Sequence, residues 1–366
     1  MQSDIGSMNL EQEKSIYFTG IDPLRFIAAL FVVLFHYSFA IKYNAWSWML
    51  HPPDFLQEHE RKYGFLAYGF LGVQIFFVIS GFVILPSAMH KTARQFFAAR
   101  LLRLYPALFI CCTITFTVRN FFPVDALALY TTHLKDYLAS LFLMNEVFKL
   151  YYIDGAYWTL ISEMMFYVFI GLLIFTHNLS RLEYFLMAGL LLFAVYPKHL
   201  LIGIQFPKYY GYAFLCDSFC FFSIGSLLCL NHLYGVSKFR CLTLLFAYLL
   251  SLVKIFDLCI VLQKIEPDIN GIIGCVIYSG SLIVFYLAVK YSWLLRHKPF
   301  WRFIGNLAYP LYLIHQVIGY ILLYYFSGKL DYSVLVISIT AGMVAWAAII
   351  HLYGELPLRN WIRKLL

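Results

Sequence analysis

Charge is scarce in this chain. Asp, Glu, Lys and Arg make up only 13% of its 366 residues, against 62% that are hydrophobic and 20% that are aromatic. So little polar surface cannot enclose a soluble globule of this length, which excludes a water-soluble enzyme and leaves an integral membrane protein. A removable leader is missing as well. The N-terminus "MQSDIGSMNLEQEKSIYFTG" places no basic cluster before an apolar run, and no small-residue cleavage site follows the first such run, so no signal peptide is expected to be removed. The eight cysteines, Cys111, Cys112, Cys216, Cys220, Cys229, Cys241, Cys259 and Cys275, all fall within or at the ends of apolar segments, so no structural disulfide is expected. Cys216 and Cys220 share a helix face, but no further His or Cys cluster joins them, and no metal site is expected. Repeats and low-complexity tracts are absent too. The chain reads as one domain over 1–366: an N-terminal segment 1–20, a transmembrane bundle 22–354 and a tail 355–366.

What the sequence has in abundance is long apolar runs. A spanning helix needs about 20 mostly apolar residues, and that length fits ten segments, near 22–42, 64–86, 101–122, 157–177, 182–200, 209–230, 242–262, 269–290, 303–326 and 333–354. The expected fold is therefore an all-α polytopic membrane protein of about ten transmembrane helices around a central channel. "DYLASLFLMNEVF" (Asp136 to Phe148) is ambiguous between loop and an interfacial or re-entrant helix. Basic residues crowd one set of span ends: Lys91, Arg94, Arg100 and Arg103, then Arg181, Lys238 and Arg240, then Lys290, Arg296, Lys298 and Arg302, then Arg359, Arg363 and Lys364. By the positive-inside rule these ends are cytoplasmic, as are both termini, and the loops at 43–63 and 123–156 face out. The net charge of +8 then reflects helix ends beside an anionic inner leaflet rather than a nucleic-acid partner.

Four stretches carry polar groups that hydrocarbon does not tolerate without a reason. Arg25 and His36 in "GIDPLRFIAALFVVLFHYSFA" are eleven residues apart, which puts them on nearly one helix face about 16 Å apart along the axis. The plain alternative is a snorkelling arginine and a core histidine. In "GFLGVQIFFVISGF" the glycines suit close helix packing, while Ser80 either offers its hydroxyl to a ligand or back-bonds to its own helix. In "RLLRLYP", Arg100 and Arg103 face the same way and suit either bidentate phosphate binding or lipid-headgroup anchoring. Within "YWTLISEMMFY", Glu163 enters from the outer side to a depth like that of His36. A carboxylate and an imidazole meeting there form an acid/base pair in which Glu163 fixes the ring's tautomer. Two late stretches join them: "NLAYPLYLIH", whose Tyr309, Tyr312 and His315 step along one stripe, and "YGELPLR", where Glu355 could serve as counter-ion to Arg25 or to one of the arginine pair.

Taken in order, R-x(10)-H at Arg25 and His36, "FFVISGF", R-x-x-R-x-x-P from Arg100 to Pro106, W-T-L-x-S-E-x-x-F-Y from Trp158 to Tyr167, N-L-A-Y-x-L-Y-L-x-H ending at His315, and E-x-P at Glu355 resemble the acyltransferase 3 family. The resemblance spans roughly residues 17–360. It implies a ten-helix enzyme that takes an acyl group from cytoplasmic acyl-CoA, acetyl-CoA foremost, and passes it to a hydroxyl of a glycan or glycolipid acceptor at the outer face. It further implies catalysis by the histidine of R-x(10)-H, here His36, and donor binding by Arg100 and Arg103. Many members carry an added SGNH-type esterase domain. This chain ends at Leu366 soon after its last span and is expected to be the stand-alone form, in the cytoplasmic membrane of a bacterium.

The residue-level geometry agrees with that chemistry. Arg100, Arg103 and Arg25 would hold phosphates at the inner edge, with Ser80 beside the donor, while the thin pantetheine arm reaches up to His36. His36 would take the proton of the attacking hydroxyl, or itself be acylated, with Glu163 orienting its ring. Trp158, Tyr309, His315 and Glu355 are candidates to line the acceptor cavity. The rival is a secondary transporter or flippase, since buried His, Glu and Arg also build proton relays and anion sites. Against it, no paired Gly/Pro-interrupted half-helices recur in the two halves of the chain.

Overall fold

In the computed structural model, described for residues 18–41, 64–124, 129, 131–194, 212–263, 268–295 and 298–365, the chain is a bundle of helices. Lipid offers no partner to backbone N–H and C=O groups, so an apolar chain satisfies them within helices. The helices are α1 (Ile21–Phe35), α2 (Leu71–Ala88), α3 (Ala93–Phe121), α4 (Leu134–Leu141), α5 (Asn145–Phe148), α6 (Trp158–Phe175), α7 (Leu182–Ala194), α8 (Tyr212–Tyr234), α9 (Lys238–Gln263), α10 (Gly271–Lys290), α11 (Lys298–Phe326), α12 (Tyr332–Ile349) and α13 (Leu356–Leu365). No strand is present among the described residues beyond one isolated bridge, Val124 to Leu129.

Polar caps mark where helices start. Thr92 and Gln95 form a reciprocal capping box at α3, Asn270 accepts from Ile272 and Ile273 at α10, and Asp331 accepts from Ser333 and Val334 at α12. Eight stretches are long and apolar enough to cross a bilayer: 21–40, 64–88, 93–121, 155–175, 238–263, 271–290, 298–326 and 332–365. α7 and α8 stand at the other two expected spans, on either side of residues 195–211, so the ten-span count reaches beyond the described residues. The chain is an integral membrane protein.

Two segments take a form that the sequence leaves open. The stretch 131–151 holds α4 and α5, with Leu134, Leu138, Phe142 and Phe148 exposed while Asp136, Ala139, Ser140 and Asn145 are buried. The expected tail beyond Glu355 is helical through Leu365, because α12 runs through a π-helical turn (Ile350–Glu355) straight into α13.

Packing sorts the helices into centre and rim. The spans containing α2 and α11 are each 78% buried, those of α9 and α10 only 22%, so the first pair forms the core and the second faces lipid. Glycine permits the tightest crossing. A Cβ on Gly81 would lie 2.0 Å from Phe222 O, and one on Gly225 would lie 1.9 Å from Val78 O. The α2 and α8 backbones therefore touch, and the glycines of the "FFVISGF" span serve packing.

Candidate functional site

The first part of the site grows from a change of helix type. α1 ends at Phe35 and the chain widens into a π-helical turn, His36–Ala40, closed by the Ile41 N–H donating to His36 O at 3.0 Å, five residues back. Such turns shift the side chains that follow and recur at functional sites. His36 is half-buried at its start. Its Nδ1 lies 2.8 Å from Val32 O and 3.1 Å from His315 Nε2, while His315 Nδ1 lies 2.7 Å from Tyr312 O.

Those contacts fix both tautomers. A carbonyl oxygen only accepts, so His315 Nδ1 carries a hydrogen and donates to Tyr312, leaving a lone pair on His315 Nε2. His36 Nδ1 also faces a carbonyl and also carries a hydrogen, shared between Val32 O and His315 Nε2. The neutral His36 ring must then hold its lone pair on Nε2, which has no hydrogen-bond partner among the described residues. The arrangement leaves Nε2 as the nitrogen of His36 able to accept a proton.

Packing holds the pair in place. His315 is fully buried on α11, and its carbonyl accepts from Tyr37 OH at 2.7 Å. A Cβ on Gly319 would meet that Tyr37 hydroxyl at 2.1 Å, so only glycine admits this tyrosine. Tyr312 packs its ring against Phe76 at 5.7 Å and against His315 at 5.6 Å, and its hydroxyl lies 3.0 Å from Thr159 Oγ1.

A second cluster forms around α3 and α6. Arg100, seven residues into α3 and so about 10 Å along it, is buried with its guanidinium 5.8 Å from the centre of the Tyr167 ring. Tyr167 OH donates to Glu163 Oε1 at 2.5 Å, and Ser80 Oγ donates to the same oxygen. Arg100 Nε is buried with no hydrogen-bond partner, and Arg103 makes no hydrogen bond or ion pair among the described residues. Lys91, in the loop between α2 and α3, is pulled below the usual ammonium range by burial and then by the like charge of Arg100. Three cations thus gather near one carboxylate, Glu163, and the net positive charge that remains suits an anion.

Glu163 joins the two clusters. It lies within electrostatic range of Arg100 on one side and of Tyr309 and Tyr312 on the other. Tyr309 ties α11 to α3 by donating to Leu104 O at 3.2 Å, next to Arg103. Trp158 opens α6 half-buried, its ring edge-on to Phe77 at 6.3 Å.

Several sequence-based partners are corrected. Glu163 does not orient His36, because its hydrogen bonds go to Ser80 and Tyr167; His315 occupies that position. Ser80 does not back-bond to its helix. Arg25 pairs with Asp22 at 3.2 Å, so its counter-ion is not Glu355. Glu355 instead accepts from His351 Nδ1 at 2.7 Å and lies 3.8 Å from Arg359, inside and beyond the second π-helical turn. Asp22, at i−3 from Arg25, and His351, at i−4 from Glu355, were readable as helix pairs. Lys91 carried no signal beyond its place in a basic loop.

Comparison with known proteins follows the same line. A family model described as an acyltransferase domain matches residues 18–352. A protein of Acidianus two-tailed virus named "Putative acetyltransferase ORF330" is 25% identical over 258 residues, 68% of this chain and 72% of that protein. No solved structure matches.

Proposed function

This chain belongs to the acyltransferase 3 family, and from that premise we propose that it moves an acyl group, acetyl foremost, from cytoplasmic acyl-CoA to a hydroxyl of a cell-surface glycan or its lipid-linked precursor. The observation that carries the reading is the histidine pair, which leaves a lone pair on His36 Nε2 in a half-buried position.

The acceptor hydroxyl gives its proton to His36 Nε2 as its oxygen attacks the thioester carbonyl. Collapse of the tetrahedral intermediate breaks the C–S bond, and the proton passes from His36 to the departing thiolate, so CoA leaves as the thiol. His315 Nε2 and Val32 O accept from His36 Nδ1–H throughout, and these bonds strengthen when the ring becomes positive. Lys91, Arg100 and Arg103 hold the donor's phosphates, and the Ser80, Glu163 and Tyr167 network lies between them and the histidines.

Both termini and the loops near 87–100, 231–241 and 291–302 face the cytoplasm, and 123–156 faces out, in the cytoplasmic membrane of a bacterium. The histidines, about 22 Å from the start of α1 by helix rise, then lie in the outer half of the membrane, opposite the basic cluster. The test is transfer from radiolabelled acetyl-CoA by protein purified into lipid nanodiscs. Turnover by wild type and none by His36→Gln is expected, since an amide mimics the hydrogen bond but accepts no proton. Turnover retained in that variant overturns the assignment of the base.

A further inference from the structure

Asp154 belongs to no motif in the sequence. It precedes the 3₁₀ turn Gly155–Tyr157 that leads into α6, yet it is fully buried. Burial lifts its carboxyl to about 6, with two backbone N–H donors and then Arg119 acting against that rise. Its two oxygens are divided between two parts of the chain. Oδ1 accepts from Ala156 N–H at 2.9 Å, while Oδ2 accepts from Val317 N–H at 3.0 Å, within α11 and two residues past His315.

The loop behind Asp154 is a hydrogen-bonded platform. Arg119 Nη1 donates to Tyr152 O and Ile153 O, each at 3.1 Å. Ser140 Oγ accepts from Ile153 N–H and from Asn145 Nδ2, both at 3.0 Å, and Asn145 Nδ2 also donates to Tyr151 O at 2.7 Å. α11 is fastened to this platform twice, since Tyr312 OH also donates to Ala156 O at 3.2 Å. The two fastenings, at Tyr312 and Val317, bracket His315.

We propose that Asp154 is a positioning residue for acyl transfer: by holding Val317 N–H it fixes the turn of α11 that carries His315, and through His315 it sets the direction of His36 Nε2. This rests on the acyl-transfer reading for its kinetic consequence but not for its geometry. A buried carboxylate is a poor source of stability, and an apolar side chain of like size would pack as well. What it supplies is a fixed acceptor in two directions, and a misplacement of about 1 Å at a reacting group is enough to cost a rate factor of up to about 100.

The test uses the full chain in nanodiscs with Asp154→Asn and Asp154→Glu. Asparagine keeps the volume, but its one carbonyl oxygen cannot satisfy both N–H donors, and its amide group opposes the second. The expected result is a fall in kcat of about 10- to 100-fold, with the affinity for a non-hydrolysable acyl-CoA thioether unchanged within about twofold and partial recovery of kcat in the glutamate variant. Nitrogen-15 NMR of labelled histidine reads the geometry without turnover: His36 is expected as the Nδ1–H tautomer in wild type and as a mixture in Asp154→Asn. Wild-type kcat in Asp154→Asn, an unchanged tautomer, or failure of both variants to fold overturns the proposal, the last by making Asp154 a structural anchor. Inactive wild type with a tautomer that responds to Asp154→Asn would sink the acyl-transfer reading and leave the positioning intact.

Discussion

His315→Leu isolates the contribution of the second imidazole. In the resting enzyme His36 Nδ1–H is shared between Val32 O at 2.8 Å and His315 Nε2 at 3.1 Å. A neutral hydrogen bond contributes about 0.5–1.5 kcal/mol and one to a charged group about 1.5–3 kcal/mol. Only the difference, about 1–1.5 kcal/mol, appears in the proposed transition state, where His36 gains a proton. His315→Leu should therefore lower kcat by roughly 5- to 12-fold. Donor affinity should hold, because the proposed phosphate-binding residues belong to α3 and the loop before it. The fully buried position adds a packing cost, so the assay is kcat at saturating acetyl-CoA, from the rate of free CoA release, normalised to monodisperse protein. Full wild-type kcat would remove His315 from the chemistry. A loss as complete as that of His36→Gln would refute the reasoning in the other direction, since it would make His315 itself the base.

Arg100→Ala and Arg103→Ala should each weaken acyl-CoA binding by about 1.5–3 kcal/mol, with lysine restoring only part; unchanged titration calorimetry in both would return them to lipid anchoring. Glu163→Gln keeps an oxygen for Ser80 and Tyr167 but removes the charge facing Arg100, so activity should drop less than in His36→Gln; complete inactivation in folded protein would give Glu163 a proton-transfer role. Gly81→Val, whose Cβ would lie 2.0 Å from Phe222 O, should separate α2 from α8 and destabilise the fold by more than the 1–3 kcal/mol or so of ordinary overpacking, read as a lower thermal midpoint; an unchanged melt would refute the contact. Cysteines placed at Gln95 and Lys298 should resist labelling from outside intact cells, and one at Met144 should accept it; the reverse pattern inverts the direction of transfer.

Hydropathy and helical period are properties of some 20 consecutive residues, and lipid enforces helix wherever such a run occurs, so the sequence alone determined the all-α membrane fold and most span positions. Tertiary structure decided who partners whom. Glu163 and His36 sit at like depth by counting residues, yet Glu163 turns to Ser80 and Tyr167 while His36 turns to His315, because a hydrogen bond depends on which helix faces meet. Those faces are set by choices the sequence leaves open: which helix a glycine meets, as Gly81 meets Phe222, and π-helical turns at His36 and at Glu355 that break the 3.6-residue period used to project a face. The same reason hid Asp154, whose link to Val317 joins residues 163 positions apart and exists only once α11 has docked on the loop that precedes α6.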